Sequence, residues 1–189
     1  MERHVGVLAI QGDFAAHTRV LEGLGVRVSR VLHDRDLAAI DALVIPGGES
    51  TTIAKGLARL ELYTPLAQRV RAGLPVLGTC AGAILLAREV VNRPVRPLAA
   101  IDVTAQRNAY GTQVDSFAAP VDEGGPEALA GLRCVFIRAP RLSDPGPRVE
   151  ILARVDGYPV LVRQGNALAA TFHPELGTDT RIHRLLLDL

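Results

Sequence analysis

At 189 residues the chain has the length of one compact domain, and a single domain over residues 1–189 is expected. Almost half its residues are hydrophobic and its formal charge is only +1, which argues against the basic face of a nucleic-acid binder. No stretch approaches a run of uncharged apolar residues long enough to span a bilayer, and Met1-Glu2-Arg3-His4-Val5 opens no signal-peptide pattern. No membrane association and a cytoplasmic location are therefore expected.

Taken in chain order, the first half alternates short apolar runs with helical patterns, the signature of a parallel α/β sheet. Val5–Ile10 reads as a strand buried on both faces, followed by a helix that Asp13 caps and that ends near Gly25. Val26–Leu32 and Ala42–Ile45 are the next strands, the second stopped by Pro46-Gly47-Gly48. Helices are predicted over Ser50–Leu60 and Tyr63–Ala72, then a strand at Pro75–Thr79 that runs directly into a helix at Ala81–Glu89. The second half reads as strands at Ile101–Arg107, Cys134–Arg138, Val149–Val155, Pro159–Arg163 and Ala167–Phe172, with a final helix over Asp179–Leu187. Asp156-Gly157 suits the turn of a hairpin.

Cysteine usage narrows the chemistry. Cys80 and Cys134 are the only two, too few for a disulfide scaffold, and no Cys-x-x-Cys or His-x-x-x-His spacing suggests a metal site. Cys134 lies within the apolar run Leu132–Ile137 and reads as a buried strand residue. Cys80 is different: Gly78-Thr79-Cys80-Ala81-Gly82 sets a nucleophile between small residues at a strand–helix junction, where side chains larger than glycine's would clash. Sulfur at a helix N-terminus meets unpaired N–H groups that favour the thiolate. The Ala81 N–H would face an oxyanion formed beside Cys80.

A thiol nucleophile needs a base. His4, His17, His33 and His183 read as surface residues near element ends, whereas His173 closes a strand and precedes Pro174 and Glu175. Proline holds residue 173 extended, and in an extended segment residues i and i+2 share a side, so Glu175 can orient the His173 imidazole. Gly47 and Gly48 can turn a backbone N–H toward the same oxyanion, and Glu49 follows as a helix-terminal charge or a ligand for a substrate ammonium.

With these residues in place the sequence resembles a class I glutamine amidotransferase domain, and within that class closely the glutaminase subunits of pyridoxal 5′-phosphate synthase. The wider class is marked by the Cys80 elbow and His173-Pro174-Glu175. The narrower group is marked by Arg107-Asn108-Ala109-Tyr110-Gly111, Gln113-Val114-Asp115-Ser116-Phe117 and Phe136-Ile137-Arg138-Ala139-Pro140. The resemblance implies a three-layer, flavodoxin-like α/β fold, with a mostly parallel central sheet and added antiparallel strands in the C-terminal half. It implies Cys80 as nucleophile, His173 as general base and acid, and Glu175 as its partner. It also implies glutamine contacts from Gly48, Glu49, Ser50, Arg107, Ile137 and Arg138, with Gln11 organising the site. One departure is Thr112, where these proteins usually carry arginine.

The implied activity is hydrolysis of L-glutamine to glutamate and ammonia without a cofactor or metal, the ammonia passing to a separate synthase (lyase) subunit in a heteromeric complex. Three alternatives are the glutaminase subunit of imidazole glycerol phosphate synthase, which shares the elbow and triad, a stand-alone cysteine hydrolase or peptidase of similar architecture, and a non-catalytic regulatory subunit.

Overall fold

The computed structural model describes residues 3–92, 95–107 and 116–189. Its first half alternates strand and helix: β1 (His4–Leu8), α1 (Phe14–Gly23), β2 (Arg27–Val31), α2 (Asp34–Ala38), β3 (Ala42–Ile45), α3 (Ser50–Arg59), α4 (Tyr63–Arg71), β4 (Val76–Thr79) and α5 (Ala81–Leu86). The second half is strand-rich: β5 (Ala87–Val91), β6 (Ile101–Gln106), β7 (Phe117–Pro120), β8 (Arg133–Phe136), β9 (Arg141–Ser143), β10 (Glu150–Val155), β11 (Tyr158–Gln164), β12 (Ala167–Ala170) and a closing helix α6 (Arg181–Leu187). Among the described residues no helix is long and apolar enough to cross a membrane.

The central sheet runs β10-β11-β12-β4-β3-β1-β2. Its β2-β1-β3-β4-β12 part is parallel throughout and has the flavodoxin-like strand order, while β11 pairs antiparallel with both β12 and β10. Smaller sheets, β5-β6-β9 and β7-β8, flank it.

Side-chain alternation along the strands divides the core. In β3, Leu43 and Ile45 join the cluster built with Leu37, Ile53, Leu57 and Leu66 of α2, α3 and α4. Ala42 and Val44 point the other way, to the cluster that holds Leu21 of α1 and Ile182 and Leu186 of α6. Two helical layers therefore cover the two faces of one sheet, which is why its strands are apolar on both sides.

Open α/β sheets of this order present their carboxyl ends as a crevice. The turns after β1, β3, β4 and β12 carry Gln11, Gly47, Cys80 and His173, so the fold itself gathers these residues. Close packing at the crevice demands glycine: a Cβ at Gly82 would stand 2.0 Å from the Ile45 carbonyl oxygen, and one at Gly78 would stand 2.5 Å from the Gly82 oxygen.

The helix predicted over Ala81–Glu89 stops at Leu86. From Ala87, at φ −61° and ψ 157°, the chain is extended and pairs in parallel with β6, burying Val90. The β-branched pair Val90-Val91 suits that pairing better than another helical turn. The structure adds α2, a single short helix whose entry is held by the Asp36 carboxylate accepting from the Leu32 and His33 N–H groups. It also adds β7 and β9, too short for their pattern to stand out. The hairpin at Asp156-Gly157 forms with φ of 51° and 77°, the two positive values of a type I′ turn.

Candidate active site

Cys80 occupies the junction of β4 and α5 at φ 47° and ψ −101°, a conformation that costs a non-glycine residue roughly 1–3 kcal/mol. Its neighbours hold it there. The Cys80 N–H donates to the Ala170 carbonyl at 2.8 Å, and its own carbonyl accepts the first bond of α5 from Ile84 at 3.2 Å. The sulfur lies 3.9 Å from the Ile137 carbonyl oxygen, and the residue is only 7% exposed.

His173 follows β12, tied by its N–H to the Val135 carbonyl at 2.8 Å. Its Nδ1 lies 2.7 Å from Glu175 Oε1. The contact forms by a different route from the extended i, i+2 geometry read from the sequence. Pro174–Leu176 makes a 3₁₀ turn, and Glu175 reaches back from inside it with its carboxylate fully buried. The edge of the imidazole meets Gly47 and Cys80: a Cβ on Gly47 would stand 2.5 Å from His173 Cε1 and 3.2 Å from Cys80 Cβ. Burial alone would lower the His173 pKa, but the Cys80 sulfur and the Glu175 carboxylate outweigh it and hold the ring well above the ordinary histidine range.

The turn after β3 is pinned from two sides. The Gly47 N–H donates to Thr79 Oγ1 at 3.0 Å, and the Glu49 N–H donates to Gln11 Oε1 at 2.7 Å. Gly12 packs so tightly beneath that a Cβ there would meet the Gly47 oxygen at 1.8 Å. Of the two glycines read as oxyanion donors, Gly47 has its amide committed to Thr79. Gly48 makes no hydrogen bond with the described residues and presents the remaining N–H of this turn. The Ala81 N–H lies in the first turn of α5, where helix donors lack an intrahelical partner.

These elements enclose a cleft of about 470 Å³. Its floor is Cys80 and His173, and its walls are Gln11, Gly48, Glu49, Ser50, Arg107, Ile137 and Arg138, together with Ile84, which the sequence did not single out. Glu49 accepts from the Thr51 and Thr52 hydroxyls, and these bonds, aided by Arg107 at 3.8 Å, keep its carboxyl below the usual range. Arg107 also donates to Thr51 Oγ1 at 3.3 Å. Buried Ser50 keeps a hydroxyl without a hydrogen-bond partner among the described residues. The segment Asn108–Asp115, with Tyr110, Gly111, Thr112 and Gln113, lies outside the described residues.

Two of the histidines read as surface residues prove to be interior. His17 of α1 and His183 of α6 are both 0% exposed, whereas His33 is exposed as expected. The available signal was helical spacing: His17 stands four residues from buried Leu21, and His183 three from buried Leu186. Burial pushes His183 down to about 4, and burial, with His183 and His173 nearby, holds His17 well below 6.5.

A lowered histidine pKa means that the unfolded chain binds more protons below pH 6.5, so stability falls as pH falls. Urea unfolding should show this loss between pH 6.5 and 4, reaching roughly 3 kcal/mol from His183 alone. Replacing His183 with leucine should flatten the slope by up to one proton. A wild-type profile that stays level through this window would contradict the buried neutral pair.

A doubly wound sheet with an elbow cysteine and a histidine–carboxylate pair at its carboxyl edge defines the class I glutamine amidotransferase architecture. A solved structure described as a glutamine amidotransferase matches with a TM-score of 0.90 and 45% identity, over 97% of each chain. Residues 7–188 match the SNO glutamine amidotransferase family, and the chain belongs to it. Relatives named pyridoxal 5′-phosphate synthase subunit PdxT include one from Thermosipho africanus, 50% identical over 98% of this chain and 97% of its own. Another, from Frankia casuarinae, is 52% identical over 97% of this chain and 93% of its own.

Proposed function

We propose that residues 1–189 act as one glutaminase domain, the ammonia-supplying subunit of a cytoplasmic pyridoxal 5′-phosphate synthase. The observation that carries this reading is the meeting of Cys80 with the His173–Glu175 pair at the floor of a polar cleft of about 470 Å³, room enough for one amino acid. The relatives' names favour the pyridoxal pathway over imidazole glycerol phosphate synthesis.

Glutamine enters with its side-chain amide over Cys80 and its α-ammonium and carboxylate toward Glu49, Arg107 and Arg138. The Cys80 thiolate attacks the amide carbon, forming a C–S bond, and the carbonyl electrons move to oxygen. Donors at Ala81 and Gly48 hold that oxyanion; one such donor contributes roughly 2.7–4 kcal/mol to the transition state. His173 gives its proton to the departing nitrogen as the C–N bond breaks. Water then yields a proton to His173, adds to the thioester and releases glutamate, restoring the sulfur. Glu175 keeps the imidazole oriented and stabilises its charged form throughout. Ammonia freed into water would be protonated and dispersed, so the acceptor is a synthase subunit docked over the crevice.

The test is glutamate release from glutamine by the chain alone and with a pyridoxal 5′-phosphate synthase partner. With Gly47 held by Thr79, only the Gly48 amide of this turn is left to join Ala81, so the isolated chain is expected to be slow until docking aligns that donor and raises the rate about 10- to 100-fold. Equal rates would remove the partner from the reading. No release under either condition would overturn the glutaminase assignment.

A further inference from the structure

Behind the floor of the cleft lies a row of buried polar groups that the hydrolysis does not itself consume. His17 Nε2 stands 3.3 Å from Glu175 Oε2 and 3.1 Å from Thr79 Oγ1, the same hydroxyl oxygen that accepts from the Gly47 N–H. His17 Nδ1 stands 2.9 Å from His183 Nε2. One side chain of α1 thus touches both the carboxylate that orients His173 and the threonine that holds the oxyanion turn.

The direction of this chain follows from counting protons. Both rings are buried and neutral, so each carries one N–H, and the 2.9 Å contact between them holds a single proton. If that proton sat on His17 Nδ1, the Nε2 lone pair of His17 would face the Glu175 carboxylate. The N–H of His183 would then fall on Nδ1, which is buried without a hydrogen-bond partner among the described residues. A buried donor with no acceptor and two acceptors in contact are both costly. The opposite order removes both: His183 Nε2–H donates to His17 Nδ1, and His17 Nε2–H points between Thr79 Oγ1 and Glu175 Oε2. The N–H is aligned with the threonine; among the described residues Glu175 Oε2 makes no hydrogen bond, and the His17 ring at 3.3 Å offers it an electrostatic contact.

We propose that His17, seated by His183, is a positioning residue for glutamine hydrolysis, locking the Glu175–His173 pair and the Gly47 turn into one frame; this rests on the glutaminase reading above. Without it the carboxylate has one anchor instead of two, and Thr79 is freed to turn away from the Gly47 amide. Both errors displace groups that act on the reacting carbon, and displacements of this kind cost turnover more than glutamine binding.

The experiment compares His17→Leu and His17→Gln in the full chain, assayed with the synthase partner beside wild type and Cys80→Ala. Leucine fills the space without a donor; glutamine places an NH₂ group near the position of Nε2. The expected result is kcat lowered about 10- to 100-fold by His17→Leu at nearly unchanged KM, with most of the loss recovered in His17→Gln. Wild-type kcat in His17→Leu, or equal losses in both variants, would overturn the proposal, since a space-filling role gives one or the other. Should His17→Leu fail to fold, the isosteric Thr79→Val takes its place, and unchanged kcat there overturns the proposal. Wild-type activity that Cys80→Ala abolishes separates these outcomes from failure of the glutaminase reading, and an inactive wild type would end both.

Discussion

Alanine at position 80 is expected to abolish glutamate release, a loss of at least about 10,000-fold, while the protein stays folded. On the proposed mechanism the hydrolysis has no other route, because the C–S bond carries the substrate between its two steps. The fold should survive because alanine keeps the Cβ that already fits beside Gly47 and His173, and the φ of 47° is as strained for alanine as for cysteine. Only the sulfur of a residue that is 7% exposed is removed, a change of about 1 kcal/mol in stability. Cys134 offers no substitute. It is wholly buried in β8, and burial, with Asp179 nearby, pushes its thiol up to about 12. Rate and thermal unfolding measured on the same preparation check both halves. Substantial turnover in a folded Cys80→Ala chain would show that the nucleophile lies elsewhere.

Glu175→Gln should lower kcat about 1,000-fold, and the reason lies in the number of donors around one carboxylate. His173 Nδ1 lies 2.7 Å from one of its oxygens and His17 Nε2 3.3 Å from the other, and with His17 in the proposed tautomer both edges carry N–H groups. A carboxylate accepts from both; an amide accepts with one atom and donates with the other, so one histidine must lose its partner or change tautomer. The charge is lost as well. Glu175 is among the groups that raise His173, so in the variant the His173 pKa falls. Because in the proposed mechanism the protonated ring supplies the proton to ammonia, activity should be lost as pH rises through that pKa. The alkaline limb of the kcat profile should therefore move to lower pH in Glu175→Gln. A profile lowered in height with its alkaline limb unmoved would mean that Glu175 does not set the charge state of His173.

Much of this was written locally. Apolar runs bounded by glycine and proline marked β1, β3 and β4 to within a few residues, because a strand buried on both faces has no polar positions to blur its ends. The elbow at Cys80 was legible because glycines on both sides announce a turn that larger residues cannot enter, and a Cβ at Gly78 or Gly82 would indeed meet backbone oxygen at 2.5 Å or 2.0 Å. Asp156-Gly157 named its turn for the same reason: positive φ values are a property of the residue and its nearest neighbours.

The order of elements, the elbow cysteine and the closeness of His173 to Glu175, with the likeness to glutamine amidotransferases, were thus legible in short stretches of chain. Where a group goes when its partner is distant in the chain was settled only by the packed fold. The end of α5 at Leu86 depends on β6 being available to pair with Ala87–Val91. The commitment of the Gly47 amide depends on Thr79, 32 residues away. His17 and His183 bind each other across 166 residues, and no window of neighbouring side chains distinguishes a histidine that faces water from one that faces its buried counterpart. Local conformation follows from sterics within a few residues, whereas burial and hydrogen-bond partnership are settled by which surfaces the packed sheet and its helices bring together.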